Sequence, residues 1–240
     1  MIIFVKLILA HLLGDFLLQP TSWVLHKQQH KHASIYLYLH SLLHGILAVL
    51  LIGWNFLVPA IVLSLAHGFI DYLKLAFQRP ETQRRWFIAD QLLHVLVIVA
   101  ICTYLEDGSL YFSAPTDQFW IVFTGAVLLT KPASIAIKNV ISAWTPDTSP
   151  DDQSLQNAGN YIGMLERLFV FAFLLTGHFD AIGLLLGAKS IFRFGDLTGN
   201  KDRKLTEYVL IGTLLSFGIA MITAAIAQRM LTQSVLENFL

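Results

Sequence analysis

Charged residues are scarce in this chain: aspartate, glutamate, lysine and arginine together make up 13% of its 240 residues, whereas an ordinary soluble domain has about 25%. Hydrophobic residues make up 55%, and the mean hydropathy is +0.63. This composition excludes an ordinary soluble domain. Apolar stretches of about 20 residues, long enough to cross a bilayer as a helix, recur along the whole sequence. The chain is therefore predicted to be a multi-pass, all-α helical bundle in a membrane.

Cysteine is almost absent as well. The single Cys102 excludes an internal disulfide and any Cys-x2-Cys metal site. The sequence also lacks a glycine-rich nucleotide loop and the pattern that surrounds the nucleophile of serine hydrolases. Function therefore has to be sought in other residue types.

The apolar stretches predict about eight transmembrane helices. Their expected ranges are 2–18, 35–53, 57–77, 86–105, 118–139, 160–177, 180–194 and 206–228. A long polar stretch rich in proline, serine and aspartate covers residues 144–159 and is typical of a surface linker. We therefore predict a membrane bundle over 1–143, a cytoplasmic linker over 144–159, and C-terminal membrane helices over 160–240.

Lysine and arginine are distributed unevenly over the predicted loops. The first, third and seventh loops contain Lys27, Lys31, Arg79, Arg84, Arg85, Lys201, Arg203 and Lys204, and Lys138 borders the fifth. The even-numbered loops have neither residue type. Because positively charged loops remain in the cytoplasm, the odd-numbered loops are predicted to be cytoplasmic and both termini to lie outside.

One pattern of histidine and aspartate occurs twice in the N-terminal half. The segment AHLLGD at 10–15 recurs as AHGFID at 66–71, and HSLLH at 40–44 corresponds to DQLLH at 90–94. AHLLGD and AHGFID each lie near the end of a predicted helix. HSLLH and DQLLH each lie near the start of the helix that follows. The first four helices are therefore predicted to be a duplicated hairpin.

Each of these four helices carries one pair of potential metal ligands at spacing i, i+4, which places both side chains on one helical face. The eight residues are His11, Asp15, His40, His44, His67, Asp71, Asp90 and His94. With the predicted orientation, all four pairs lie near the cytoplasmic face in one layer. A single pair could be a helix-packing hydrogen bond, but four pairs at one depth favour a metal site.

The ligand types constrain the metal. Five imidazoles and three carboxylates exceed what one tetrahedral zinc ion needs, so we predict two divalent metal ions bridged by a carboxylate. Zinc, manganese, iron and cobalt all accept such ligands. Asp15 and Asp71 occupy equivalent positions of the repeat and are the expected bridging ligands. One of the eight residues could instead orient a ligand or act as a general base.

A second set of charged residues is predicted to surround this layer, namely Lys74, Glu166, Arg167, Lys189, Arg193 and Glu207. A structural explanation of these residues is that lysine and arginine near helix ends extend to the membrane surface, and that the remaining charged residues form an ion pair within the membrane. The functional hypothesis is a cationic rim that binds a phosphate or carboxylate of the substrate. We assign catalytic roles to Asp15, Asp71 and Lys74.

The order of motifs resembles a bacterial inner-membrane family known as a domain of unknown function. The resemblance rests on the four segments above, with AHLLGD extended to AHLLGDF-x2-Q, and on GMLERL at 163–168, KSIFRF at 189–194 and EYVLIGTLLSF at 207–217. It implies a bacterial inner membrane and includes the C-terminal charged residues in the family pattern. The intramembrane His/Asp pairs also look like those of predicted membrane-bound metal-dependent hydrolases.

The leading functional hypothesis is a dinuclear metal hydrolase. It would act at the cytoplasmic face on a phosphate- or ester-containing amphiphilic or anionic small molecule, with the lipid bilayer as its surroundings and without a nucleic-acid partner. A transporter for a divalent metal or protons is the first alternative. A membrane di-iron oxidase is the second, although three aspartates among eight ligands make it less natural.

Overall fold

The computed structural model describes residues 2–105, 115–142, 153–194 and 200–237, and within these ranges all regular structure is helical, as predicted. The α-helices are α1 (Ile2–Leu12), α2 (Thr21–His30), α3 (Ile35–Ile52), α4 (Leu57–Phe77), α5 (Gln83–Leu105), α6 (Pro115–Leu128), α7 (Lys131–Ile141), α8 (Gln153–Leu175), α9 (Phe179–Phe194) and α10 (Asn200–Glu237). A π-helix at Leu13–Leu17 continues α1. The start of α8 lies inside the segment that the sequence marks as a linker.

Several of these helices are long and apolar enough to cross a membrane. Among the described residues there are five, at Ile35–Ile52, Trp54–Phe77, Pro80–Leu105, Asp117–Ile141 and Glu207–Thr232. The consecutive segments Ile2–Leu17 and Thr21–Ala33 form a sixth if their 81° bend is taken as a break within one span. The multi-pass helical membrane class is therefore supported, while the structure does not confirm eight spans.

The segment after the first helix differs from its prediction as a loop. Pro20 has no backbone N–H and cannot continue a helix, and the chain bends by 81° at this break. The residues that follow form α2 rather than an irregular loop. This bend turns α2 back towards α4, so that Lys27 reaches Asp71.

The chain divides into two compact units, the first made mainly of residues 1–124 and the second of residues 125–235. In the first unit, helices α1, α3, α4 and α5 form a ring in which α1 contacts α3, α3 contacts α4, α4 contacts α5, and α5 contacts α1. Its apolar core consists of Leu7, Ala48, Phe56, Ala60, Leu63, Ile98 and Cys102. This ring is the scaffold on which the eight predicted ligands are placed.

Helices α3 and α4 approach each other closely because both contain the pattern Ser-Leu-x-His-Gly, at 41–45 and 64–68. The Ser41 hydroxyl donates to the Ser64 carbonyl at 2.6 Å, and the Ser64 hydroxyl donates to the Ser41 carbonyl at 2.7 Å. A Cβ atom on Gly68 would lie 2.7 Å from the Ser41 hydroxyl. Small residues of this kind allow close helix packing in membranes. Here they hold His44 and His67 side by side.

In the second unit, a buried arginine closes the break between α6 and α7. Arg167 is 4% exposed. It donates through Nε to the Leu129 carbonyl at 2.7 Å and through a terminal nitrogen to the Thr130 carbonyl at 3.3 Å. Its other donors bond to Ser134 and Ser216. The guanidinium thus donates to the Leu129 carbonyl at the break and adds a donor to the Thr130 carbonyl, which also accepts from the Ser134 backbone N–H.

The first prediction concerns this arginine. Replacing Arg167 with methionine should lower the free energy of unfolding by about 2–3 kcal/mol, because buried carbonyls lose a charged donor. The melting temperature of the detergent-solubilised protein measures the effect. Arg229, exposed near the end of α10, provides the matched control, and an equal loss for Arg229→Met would contradict the assignment.

Candidate metal centre

All eight residues that the sequence selects as ligands meet inside the ring of α1, α3, α4 and α5. Seven of them are buried, with exposed fractions between 1% and 6%. Asp15 is the most accessible, since 11% of its side chain remains exposed. The four pairs therefore belong to one cluster, in which Asp15 is the most accessible carboxylate.

Asp15 lies at the centre of this cluster. Its Oδ1 atom is 3.0 Å from His44 Nε2, 3.1 Å from His40 Nε2 and 3.5 Å from His67 Nε2. Its Oδ2 atom lies 3.8 Å from His11 Nε2. Three imidazole nitrogens from two helices thus converge on a single carboxylate oxygen of a third.

The other carboxylates lie beside this convergence point. Asp71 Oδ2 is 3.8 Å from His40 Nε2, and Asp90 Oδ1 is 3.7 Å from His94 Nδ1. Potential ligand atoms lie within 4.8 Å of one another in three groups: His11, Asp15, His44 and His67; His40, His67 and Asp71; and Asp15, Asp90 and His94. Because metal–nitrogen bonds of about 2.0 Å place neighbouring tetrahedral ligands about 3.3 Å apart, this spacing fits coordination after small side-chain movements.

Several ligand atoms in the cluster lack a partner. Among the described residues, the buried atoms without a hydrogen bond include Nδ1 of His40, Nε2 of His44, both ring nitrogens of His94 and Oδ1 of Asp90. His44 Nε2 approaches Asp15 Oδ1 closely but without hydrogen-bond geometry. Buried polar atoms are nearly always paired in folded proteins. Five unpaired atoms in one cluster therefore indicate a missing polar or cationic partner.

The π-helix at Leu13–Leu17 brings Asp15 into this position. π-helical turns are rare and occur mainly at functional sites, and here one contains both Gly14 and Asp15. A Cβ atom on Gly14 would lie 2.4 Å from the Cε1 and Nε2 atoms of His44. Glycine at this position therefore lets α1 approach α3 until Asp15 reaches the imidazoles.

Gln91 is a site residue that the sequence analysis did not select. Its Nε2 group donates to Asp15 Oδ2 at 3.1 Å and to Asp90 Oδ2 at 3.2 Å, while its Oε1 atom lies 3.1 Å from His11 Nε2. Gln91 orients two carboxylates and one imidazole and is a positioning residue. Its position directly after Asp90 in the DQLLH segment is the sequence feature that could have identified it.

Two lysines contact carboxylates of the cluster. Lys74 on α4 donates to Asp90 Oδ2 at 2.8 Å. Lys27 on α2 donates to Asp71 Oδ2 at 2.6 Å and is itself only 6% exposed. The sequence predicts Lys74 as a site residue but Lys27 as part of a cytoplasmic loop, because Pro20 is the only sequence feature that marks the 81° bend before α2.

The cluster is closed on one side by apolar side chains. One helical turn beyond each inner histidine lies Leu7 on α1, Ala48 on α3, Leu63 on α4 or Ile98 on α5, and all four are buried. A cavity of about 10 Å³ separates part of this apolar layer from the histidines, which is room for one water molecule at most. At the ends of α1 and α4, by contrast, 11% of the Asp15 side chain and 25% of the Lys74 side chain remain exposed. We call this exposed end the opening of the site.

The C-terminal residues predicted to bind substrate lie in the second unit. Glu166 accepts a hydrogen bond from Lys189 at 2.5 Å. Arg167 directs its donors to protein groups, as described above, and Glu207 is exposed. The side chain of Arg193 lies outside the described residues. A substrate-binding role for these five residues stays a prediction.

Long apolar helices and a buried cluster of histidines and aspartates define a helical membrane protein with candidate metal-binding groups. Residues 3–122 match the family model described as "Protein of unknown function (DUF3307)". The chain belongs to this family, as its motifs predicted. The matched range contains all eight candidate ligands and ends before Glu166. No curated protein and no solved structure matches the chain.

Proposed function

We propose that the His/Asp cluster is a two-metal centre and that the protein is a membrane-embedded metal-dependent hydrolase. The observation that carries this proposal is the convergence of eight ligand-type side chains from four helices, with five buried ligand atoms unpaired. Asp15 belongs to two of the three ligand groups, so it is the proposed bridging ligand. Asp71, Asp90 and the five histidines complete the two coordination spheres.

The proposed location is the inner membrane of a bacterium, with the centre near the cytoplasmic face. The helix ends that carry the cluster also carry basic residues, namely Lys27, Lys31, Arg79, Arg84 and Arg85. Positively charged segments are retained on the cytoplasmic side of a membrane. The finer architecture that we propose has eight spans, the first four forming a duplicated hairpin. The shared patterns of α1 with α4 and of α3 with α5 support it.

Hydrolysis is preferred to transport because of the apolar layer. A transporter needs a polar route to both faces of the membrane. In the first unit, the next turn beyond each inner histidine is occupied by Leu7, Ala48, Leu63 or Ile98, all buried. A site that is open on one side suits an enzyme that admits substrate and releases product through the same opening.

The residues of the cluster suit a hydrolytic reaction. Two bound divalent ions would supply a hydroxide at neutral pH and polarise the bond that is cleaved. Asp15, with its accessible carboxylate, would hold both ions beside the opening. Lys74 lies at the same opening, 25% exposed, and would stabilise negative charge that develops in the transition state.

The second prediction tests this activity directly. Detergent-purified protein reconstituted with zinc or manganese should hydrolyse a phosphoester or ester substrate in a panel of lipids and soluble compounds. Activity should disappear after chelation and return with metal. Asp71→Ala should abolish turnover, whereas Asp180→Ala, at an exposed position in α9, should leave it unchanged. Metal uptake into proteoliposomes without any hydrolysis would favour the transporter instead.

A further inference from the structure

The ammonium group of Lys27 is buried next to a proposed metal ligand. It reaches the cluster from α2, across the bend at Pro20, and its distance to Asp71 Oδ2 is 2.6 Å. A buried ammonium is retained in a protein only when an anion compensates it. In the structure that anion is the carboxylate of Asp71.

Lys74 repeats the arrangement with a second carboxylate of the cluster. Its ammonium group lies 2.8 Å from Asp90 Oδ2, and Asp90 is 1% exposed. Lys27 and Lys74 thus each hold a carboxylate that the proposed function assigns to a metal ion. When the carboxylates coordinate metal, both ammonium groups lose part of their compensation.

The charges of the cluster then require an anionic ligand, and this step rests on the proposed metal centre. Three carboxylates and two ammonium groups carry one net negative charge, since histidines that bind metal are neutral. Two divalent ions and one hydroxide change this to about two net positive charges in a buried site. Uncompensated charge of this size is strongly unfavourable there. A doubly charged anion restores neutrality.

We infer that the substrate is a phosphate monoester and that Lys27 and Lys74 bind its phosphate group. A phosphate monoester carries a charge near −2 at neutral pH, which matches the excess, whereas a neutral ester or a single carboxylate does not. In the reaction, the oxygen of water forms a bond to phosphorus, and the bond from phosphorus to the alkoxide oxygen breaks. The alkoxide leaves as an alcohol with a proton from that water, and inorganic phosphate is the second product.

Calorimetric titration of the metal-loaded, full-length protein with inorganic phosphate tests this inference, with bound metal measured on every sample. The wild type should bind phosphate, and Lys27→Met should weaken binding roughly tenfold or more, because a charge-assisted hydrogen bond is lost. Lys27→Arg should keep most of the affinity. Lys31→Met is the matched control, since Lys31 is an exposed lysine just beyond α2, and its affinity should not change.

The outcomes separate this inference from the function on which it rests. Metal-loaded wild type that binds no phosphate, or binds it equally well after Lys27→Met and Lys31→Met, overturns the phosphate inference and leaves the metal centre standing. Protein without stoichiometric metal overturns both. If Lys27→Met does not fold, Lys74→Met decides in its place, because Lys74 is more exposed: unchanged phosphate affinity then rejects the inference.

Two substrates show whether the phosphate group belongs to a lipid or to a water-soluble compound. A lipid phosphomonoester in mixed micelles and a water-soluble phosphomonoester are offered to the metal-loaded wild type under the same conditions. Turnover of the lipid alone, sensitive to Lys27→Met, identifies a membrane amphiphile as the substrate. Turnover of the soluble compound alone supports the phosphate inference but contradicts an amphiphilic substrate, and turnover of neither rejects the inference.

Discussion

Replacing Asp15 with alanine is expected to remove most of the bound metal from the purified protein. The wild type should contain about two ions per chain, and Asp15→Ala fewer than one, with a loss of affinity of roughly 100-fold or more. The reason is geometric: one oxygen of Asp15 lies 3.0–3.5 Å from nitrogens of His40, His44 and His67. Elemental analysis of detergent-purified protein measures the effect.

A histidine variant and two surface controls complete this experiment. His67 lies in two of the three ligand groups, so His67→Ala should lose metal to a similar extent. Asp180→Ala and His178→Ala remove the same types of side chain from exposed positions, and these variants should keep the metal content of the wild type. Chelation should also lower the melting temperature of the wild type, because a bound ion stabilises the folded state. A wild-type protein without stoichiometric metal would contradict the proposal of a two-metal centre.

Replacing Gly14 with alanine is the smallest change expected to disrupt the centre. The added Cβ would lie 2.4 Å from two atoms of the His44 ring, so either the ring or the π-helix must move. Overpacking of this kind destabilises by about 1–3 kcal/mol, although alanine is otherwise the better helix former by roughly 0.5–1 kcal/mol. Metal affinity should fall about 10- to 100-fold.

Gly218→Ala is the matched control for this substitution. Gly218 lies in α10, and a Cβ atom there would meet nothing within 4 Å. Because only the helix propensity changes, Gly218→Ala should leave metal content unchanged and the melting temperature equal or slightly higher. Equal metal content in Gly14→Ala and the wild type would show that the approach of α1 to His44 is not required.

The helices themselves were largely predictable. The sequence predicted spans at 35–53 and 57–77, and the structure has α3 at Ile35–Ile52 and α4 at Leu57–Phe77. Gly53 ends α3 with a positive φ of 121°, a conformation that favours glycine. The long apolar runs determine such boundaries locally, with a glycine in addition at the end of α3, so no tertiary information is needed.

The cluster was predictable for a related reason. Spacing of four residues places both side chains of a pair on one face of a helix, and the distribution of lysine and arginine predicts the direction of that helix across the membrane. Together these two rules bring His11 and His94 to the same depth, although 83 positions separate them in the sequence. Which atoms lie closest depends on the ring of helices and could not be derived from spacing.

Two features depended on tertiary structure. The ion pair of Lys27 with Asp71 requires the 81° bend before α2, and a proline indicates a break without giving its angle. The π-helix at Leu13–Leu17 shifts Asp15 by one position within its turn, and no residue preference marks it. Side chains that come together through bends of this kind are missed when only helical periodicity is considered.

The apolar layer beside the histidines has an energetic consequence for a cell that maintains a proton-motive force. Moving one elementary charge across the whole membrane potential involves about 2.3 kcal/mol per 100 mV. In the proposed orientation, the layer of Leu7, Ala48, Leu63 and Ile98 lies between the cluster and the opposite face of the membrane, and most of the voltage would fall across it. Ions and protons that enter and leave beside Asp15 would then cross little of the electric field. Metal binding at the proposed centre would therefore depend little on the membrane potential.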